Sequence, residues 1–147
     1  MNIFKFLVML FCVMLISACA TTYERAKSPT GTGYYDTLLQ QDMYEITFNG
    51  NSDTSVTTAQ DYALLRAAET CLENGYKTFD IVNSNNNSKT ETDAYTNYYG
   101  RYYANTTVFT STYPKIMLII KCSKENNLTF IAEEIKLNLR KKHNIEK

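Results

Sequence analysis

Histidine-based acid–base or nucleophilic chemistry in this chain would have to run through a single histidine, His143, which stands close to the end of a 147-residue sequence. Chain ends fray, so a Ser-His-Asp or Cys-His centre built on it has no credible base. No CxxC, HExxH or glycine-rich phosphate loop occurs, and one histidine with cysteines far apart does not make a zinc site. Asp61, on the apolar side of an amphipathic segment, invites a catalytic reading. The plainer account is that it lies near the first turn of a helix, where unpaired backbone donors favour a carboxylate. Paired carboxylates would serve glycan hydrolysis, but no spacing singles out two of them. The expectation is a non-enzyme with no cofactor and no bound metal.

The remaining chemistry lies in the cysteines. Residues 6–16 (FLVMLFCVMLI) form an apolar run after one positive charge, Lys5, and before the small pair Ser17-Ala18, which is the layout of a secretory signal. The run is shorter than the roughly 20 residues that a bilayer-spanning helix needs. The sequence Ile16-Ser17-Ala18-Cys19 resembles the lipobox of bacterial lipoproteins, which are cleaved before the cysteine and acylated on it. The resemblance makes Cys19 a lipid anchor, with palmitate-type chains. Two or more buried chains hold a protein stably, whereas one does not. It also implies the periplasmic face of the outer membrane, because Ala20 rather than an aspartate follows the cysteine.

Removing 18 of the 147 residues leaves 129, enough for one domain. The mature part has 14 basic against 15 acidic residues, so no bulk charge points to nucleic acid. Cys12 leaves with the signal and Cys19 is acylated, which leaves Cys71 and Cys122. In an oxidising compartment they form either a disulfide or two separate buried thiols, and both readings stand.

The expected organisation is a signal peptide (1–18), a lipidated cysteine with a flexible tether (19–33) rich in small and turn-prone residues, and one domain (34–147). Residues 34–42 carry no clear pattern. Tyr44, Ile46 and Phe48 alternate with polar residues as in a half-buried strand. Residues 57–74 predict an amphipathic helix with Leu64, Leu65, Ala68, Cys71 and Leu72 inward, Tyr62, Arg66, Glu69 and Glu73 outward, and Gly75 as its stop. A second strand is expected over 76–82 and a third over 106–113. Residues 115–122 (KIMLIIKC) read as a central strand covered on both faces. A last helix carries Leu128, Ala132, Ile135 and Leu139 on one stripe, with acids early and bases late, as the helix dipole favours.

Between the strands, residues 83–105 read as a long polar loop that buries too little to order itself. It contains five tyrosines in nine residues, Tyr95, Tyr98, Tyr99, Tyr102 and Tyr103, together with Arg101. Such a cluster suits partner recognition, because each ring offers large contact area with a polar tip. The same residues also suit a hairpin turn whose rings cover a sheet. With one cation among them, single-stranded nucleic acid is a poor fit.

The motifs Gly33-Tyr34, Tyr44-x-Ile46-x-Phe48-x-Gly50-Asn51, the run DYALLRAAE over 61–69, Asn74-Gly75-Tyr76 with Phe79, and Tyr113-Pro114 together resemble a little-characterised family of small proteobacterial outer-membrane lipoproteins. The likeness covers residues 33–122. It implies a periplasm-facing domain and supplies no catalytic residues. The expected fold is α+β: a small, mainly antiparallel sheet of about four strands with one long helix packed on it and a C-terminal helix. The expected role is a non-catalytic lipoprotein, held to the membrane through Cys19, that binds a protein or cell-wall partner in the envelope through the 83–105 loop. An accessory subunit of an envelope-spanning secretion complex, a stress-sensing lipoprotein and a cell-wall glycan hydrolase are the alternatives.

Overall fold

A computed structural model describes residues 20–98 and 104–146. The expected signal peptide, Cys19 and residues 99–103 lie outside the described residues. The elements follow in the order β1 (Gly33–Gln40), β2 (Met43–Asn49), α1 (Val56–Glu73), β3 (Thr78–Asn86), β4 (Lys89–Tyr98), β5 (Ala104–Tyr113), β6 (Lys115–Ser123), β7 (Phe130–Ile131) and α2 (Ala132–Lys142). The class is α+β, with antiparallel pairing throughout the two sheets. One sheet has five strands in the order β1-β2-β6-β3-β7, and the other is a two-stranded ribbon of β4 and β5. The expectation of about four strands therefore falls short. β1 and β7 are edge strands with little alternation, and β4 is almost wholly polar.

The core is the face of the large sheet that meets α1. Tyr44, Ile46 and Phe48 of β2, Ile116, Leu118, Ile120 and Cys122 of β6 and Phe79 of β3 are buried there against Ala59, Ala63, Ala67 and Cys71. The alanines recur at every fourth position, so the helix lies close to the strands. β6 is the middle strand, as its apolar run suggests, but only one of its faces is covered. Met117 and Ile119 are half-buried on the other side and Lys121 is exposed. Local chemistry sets the ends of α1. The Ser55 side chain caps the start by accepting from the Thr58 amide at 3.0 Å. Gly75, at φ +79°, lets the chain leave while its amide donates to the Leu72 carbonyl at 3.0 Å.

α1 is not amphipathic in the expected sense. Arg66 and Glu69, placed on the solvent face by their spacing, are 5% and 7% exposed. α2 lies over α1 on the side away from the sheet, antiparallel to it: Asp61 near the start of α1 meets His143 at the end of α2, and Glu69 meets Arg140. The stripe Asp61, Leu65, Glu69 therefore faces a second layer, and Leu65 is fully buried. A helix covered on two sides buries residues all round.

Nor are residues 20–33 a free tether within the described part. The Thr21 amide donates to Oγ1 of Thr54 at 2.9 Å, and the Thr21 hydroxyl accepts from the Asn51 amide at 2.8 Å. Arg25 bridges Tyr34 of β1 in parallel, with Tyr34 N to Glu24 O at 2.9 Å and Ala26 N to Tyr34 O at 2.8 Å. The turn-prone composition serves to fold the segment back along β1. It does not hold the domain at a distance.

Candidate functional site

Two features stand out: a charged cavity under the amino-terminal segment, and the β4–β5 ribbon.

The cavity, of about 400 Å³, lies between Tyr23, Tyr34, α1 and the carboxyl-terminal turn. Arg66 is its centre. Its Nε donates to Asp36 at 2.9 Å, and its two terminal nitrogens grip both oxygens of Glu73 at 2.9 Å. Its guanidinium also lies 4.9 Å from the centre of the Tyr34 ring. Burial pulls the Arg66 pKa down, but the hydrogen bonds it donates to Glu73 and Asp36 outweigh it, and the net shift is upward. Glu69 accepts from Nε of Arg140 at 3.0 Å and from the Tyr23 hydroxyl. Burial raises the Tyr23 pKa strongly, and the bond to Glu69 adds to the rise, so this phenol stays protonated. Asp36 is shared with Arg25 at 2.8 Å. Each of these charges has an opposite partner, so the network works as a clamp joining the amino-terminal segment, β1, α1 and α2.

A second polar cluster closes the other end of the helix pair. Oδ2 of Asp61 is 2.7 Å from Nε2 of His143 and 2.7 Å from Nζ of Lys142. Burial alone would raise the Asp61 pKa, but the bonds from Lys142 and His143 win and lower it. Its partners are side chains from the far end of the chain, rather than the free backbone donors expected of a first-turn position. His143 is 15% exposed and stands edge-on to Tyr62 at 4.9 Å between ring centres. It is therefore held in place, contrary to the expected fraying. Among the described residues no group of three or more His, Cys, Asp or Glu side chains is arranged to hold a metal ion.

Cys71 of α1 and Cys122 of β6 are joined as a disulfide with a Cα–Cα distance of 5.8 Å. It ties the last turn of α1 to the end of the middle strand, with both residues buried in the core.

For the described residues 83–98 and 104–105, the ribbon corrects the expectation of a mobile loop over 83–105. β3 extends to Asn86, and β4 pairs with β5 in unbroken register from Lys89↔Tyr113 to Tyr98↔Ala104. Composition misleads here. A ribbon wet on both faces needs no apolar alternation, because its order comes from cross-strand hydrogen bonds and threonine pairs. The ribbon continues the β3–β6 pair beyond the edge of the sheet. The break falls at Pro114, where the Gly50 amide donates to the Pro114 carbonyl at 2.8 Å and the Lys115 amide to Ser88 Oγ at 3.2 Å. Ten residues per strand, at about 3.3 Å each, make an arm roughly 33 Å long.

One face of the arm carries Thr90, Thr92, Thr96, Thr106, Thr110 and Thr112 around an Ala94–Val108 pair. The Thr96 and Thr106 hydroxyls are 2.9 Å apart. The other face carries Tyr95 and Phe109. Tyr95, Val108 and Phe109 are 63%, 59% and 59% exposed. Of the recognition residues proposed from the sequence, Tyr95 lies within β4 and Tyr98 ends it. Tyr99, Arg101, Tyr102 and Tyr103 fall outside the described residues.

No protein-family model, curated protein or solved structure matches this chain. The residues of the arm and the clamp must therefore speak for themselves.

The sequence reading missed Arg66, Glu69 and Arg140 as a unit, along with the Asp61–His143 contact. One signal was present. Ala59, Ala63 and Ala67 form one small-residue stripe on α1, while Leu65, Ala68 and Leu72 form a second, which is one apolar stripe more than a helix on a single sheet requires.

Among the described residues no helix is long and apolar enough to cross a membrane.

Proposed function

We propose that this chain is a non-catalytic lipoprotein of the outer membrane, anchored through Cys19 on the periplasmic face, that binds another envelope component through its β4–β5 arm. The observation that carries this reading is the arm itself, which among the described residues pairs with no other strand and presents Tyr95, Val108 and Phe109 to solvent. A second observation orients it. Thr21 docks on Asn51 and Thr54, next to Gly50, whose amide holds the base of the arm at Pro114. Only Ala20 lies between Thr21 and Cys19, two residue steps with a reach of at most about 7 Å. The anchor and the arm therefore leave the same end of the domain, and a lipid at Cys19 sets the arm close to the membrane surface.

Crosslinked pull-down from intact envelopes tests the binding role. Wild type is expected to recover defined partners, and replacing residues 95–103 with a Gly/Ser linker is expected to lose them. Unchanged recovery would sink the reading. Cys19→Ser tests the anchor separately by abolishing lipid labelling and membrane retention. An accessory subunit of a secretion complex would give the same anchor with a fixed set of partners, whereas a stress sensor would exchange them. The clamp gives little support to a glycan hydrolase, since Asp36, Glu69 and Glu73 are each engaged by arginine. Cell-wall digestion by the purified protein would revive that alternative.

A further inference from the structure

The two edges of the arm differ in a way that selects one of them for pairing. β4 carries Lys89, Glu91 and Asp93, with Lys89 and Glu91 ion-paired at 2.5 Å. Charges of this kind are how natural proteins guard a free strand edge. β5 (ANTTVFTSTY) has none: no charged residue, no proline and no glycine in ten positions, and its composition is threonine, valine and aromatic. The run Thr106–Thr110 (TTVFT), all strand formers and without charge, is what an unguarded edge looks like. A two-stranded ribbon with no third strand and no helix upon it is also marginal in water. The arm as described has only β4 and β5, with Val108 and Phe109 left exposed.

We infer that β5 pairs antiparallel with β5 of a second copy of this chain, joining two arms into a four-stranded sheet in the order β4-β5-β5-β4. Charge distribution favours a second copy. The uncharged edge meets itself with no like charges opposed, while the two guarded β4 edges end on the outside and stop further addition. The assembly is therefore a closed two-fold dimer and not an open fibre. Antiparallel pairing about a two-fold axis requires the axis to run perpendicular to the sheet. Each side chain then stays on its own face, and opposed residues have the same parity in sequence. With the two ten-residue strands overlapped as fully as that parity allows, either Val108 or Phe109, the central residues of β5, stands on the axis opposite its own copy. Either register extends the threonine face across both arms. This proposal goes beyond the envelope-binding role and does not depend on the anchor, because it uses the β5 edge and leaves Tyr95 on β4 free for another partner.

Single-cysteine variants of the full chain, Val108→Cys and Phe109→Cys, are treated in intact cells with a short bis-maleimide and analysed by mass. One of the two is expected to give a homodimer at least tenfold above the unsubstituted chain. Thr92→Cys and Ala94→Cys on β4, three strand spacings (about 14 Å) from their copies, are expected to stay at background. A second measurement co-purifies two differently tagged full-length copies. Val108→Lys is expected to cut recovery about tenfold, while the Cys71–Cys122 disulfide still forms as a check on folding. Three results would each overturn the proposal: no dimer at either β5 position, equal crosslinking from β4, or conjugates only with a different protein.

Discussion

Arg140 reaches back 71 positions along the chain to Glu69, donating through Nε at 3.0 Å and through a second guanidinium nitrogen to the same carboxylate oxygen. Glu69 is nearly sealed from water, and the Tyr23 hydroxyl is its other hydrogen-bond partner. Removing one member of a buried pair costs up to about 3–5 kcal/mol because the other charge stays in a poorly solvated place, although here Nη1 of Arg66 remains 3.8 Å from Glu69. Arg140 is itself partly exposed, which puts the expectation at the lower end of that range. Arg140→Ala should therefore destabilise the domain by about 3 kcal/mol in urea unfolding. Glu69→Leu combined with Arg140→Leu should recover much of the loss. A double variant no better than the single one would mean that the pair is not where the energy lies.

Elements were legible in the sequence where burial is one-sided and local. Tyr44, Ile46 and Phe48 alternate because one face of β2 is covered, and α1 starts at Ser55 and stops at Gly75 for reasons carried by those residues themselves. The rest depended on partners distant in the chain. Arg66 and Glu69 look solvent-facing until α2 and Tyr23 are set against them. β1 escaped notice because Leu38 and Leu39 at its end are exposed, leaving no clean alternation. β4 passed for a loop because cross-strand pairing, unlike burial, leaves no apolar period to read, whereas most of β5 was legible as a strand over 106–113 from its threonine, valine and aromatic residues. Residues 20–26 passed for a tether because their hydrogen bonds run to Tyr34, across a turn, and to Asn51, Thr54 and Glu69, which are 30 or more positions away.

Acid should loosen the contact between the start of α1 and the end of α2. The Asp61 carboxyl is held below its ordinary value of 3.8 by Lys142 and His143. A depressed acid contributes stability that is present above its unfolded value and lost as pH falls through the folded one. Asp61→Asn should lower Tm at about pH 5, and the difference from wild type should shrink as the pH drops below 3.8. Thermal scans of both proteins across that window test it. A difference that is constant down to the lowest pH would remove Asp61 from the acid response.

The Cys71–Cys122 bond closes a loop with a sequence separation of 51. Chain entropy assigns such a crosslink about 4 kcal/mol. The Cys71→Ala, Cys122→Ala double variant should lose roughly that amount in urea unfolding, less whatever the smaller side chains recover by repacking. Both sulfurs are buried, so wild type should resist reductant while folded and reach the lower midpoint only after unfolding in its presence. Two alkylatable thiols in the untreated, unfolded chain would show that the bond does not form.

Gly50 sits where three parts of the molecule meet, and its lack of a side chain is what allows them to. A Cβ at this position would lie 2.6 Å from Cγ of Pro114 and 2.9 Å from Cβ of Thr54. The first belongs to the base of the arm and the second holds the amide of Thr21, and the Gly50 amide is itself bonded to the Pro114 carbonyl at 2.8 Å. None of these groups is the free end of a flexible side chain, so Gly50→Ala must push the arm, the capping loop or both. Overpacking of this kind costs about 1–3 kcal/mol. Hydrogen exchange read by mass spectrometry should show faster labelling in peptides covering residues 20–26 and 113–116, with the α1 peptides little changed. A Gly50→Ala protein with wild-type Tm and exchange would mean that the arm is not braced against the loop that receives the amino-terminal segment.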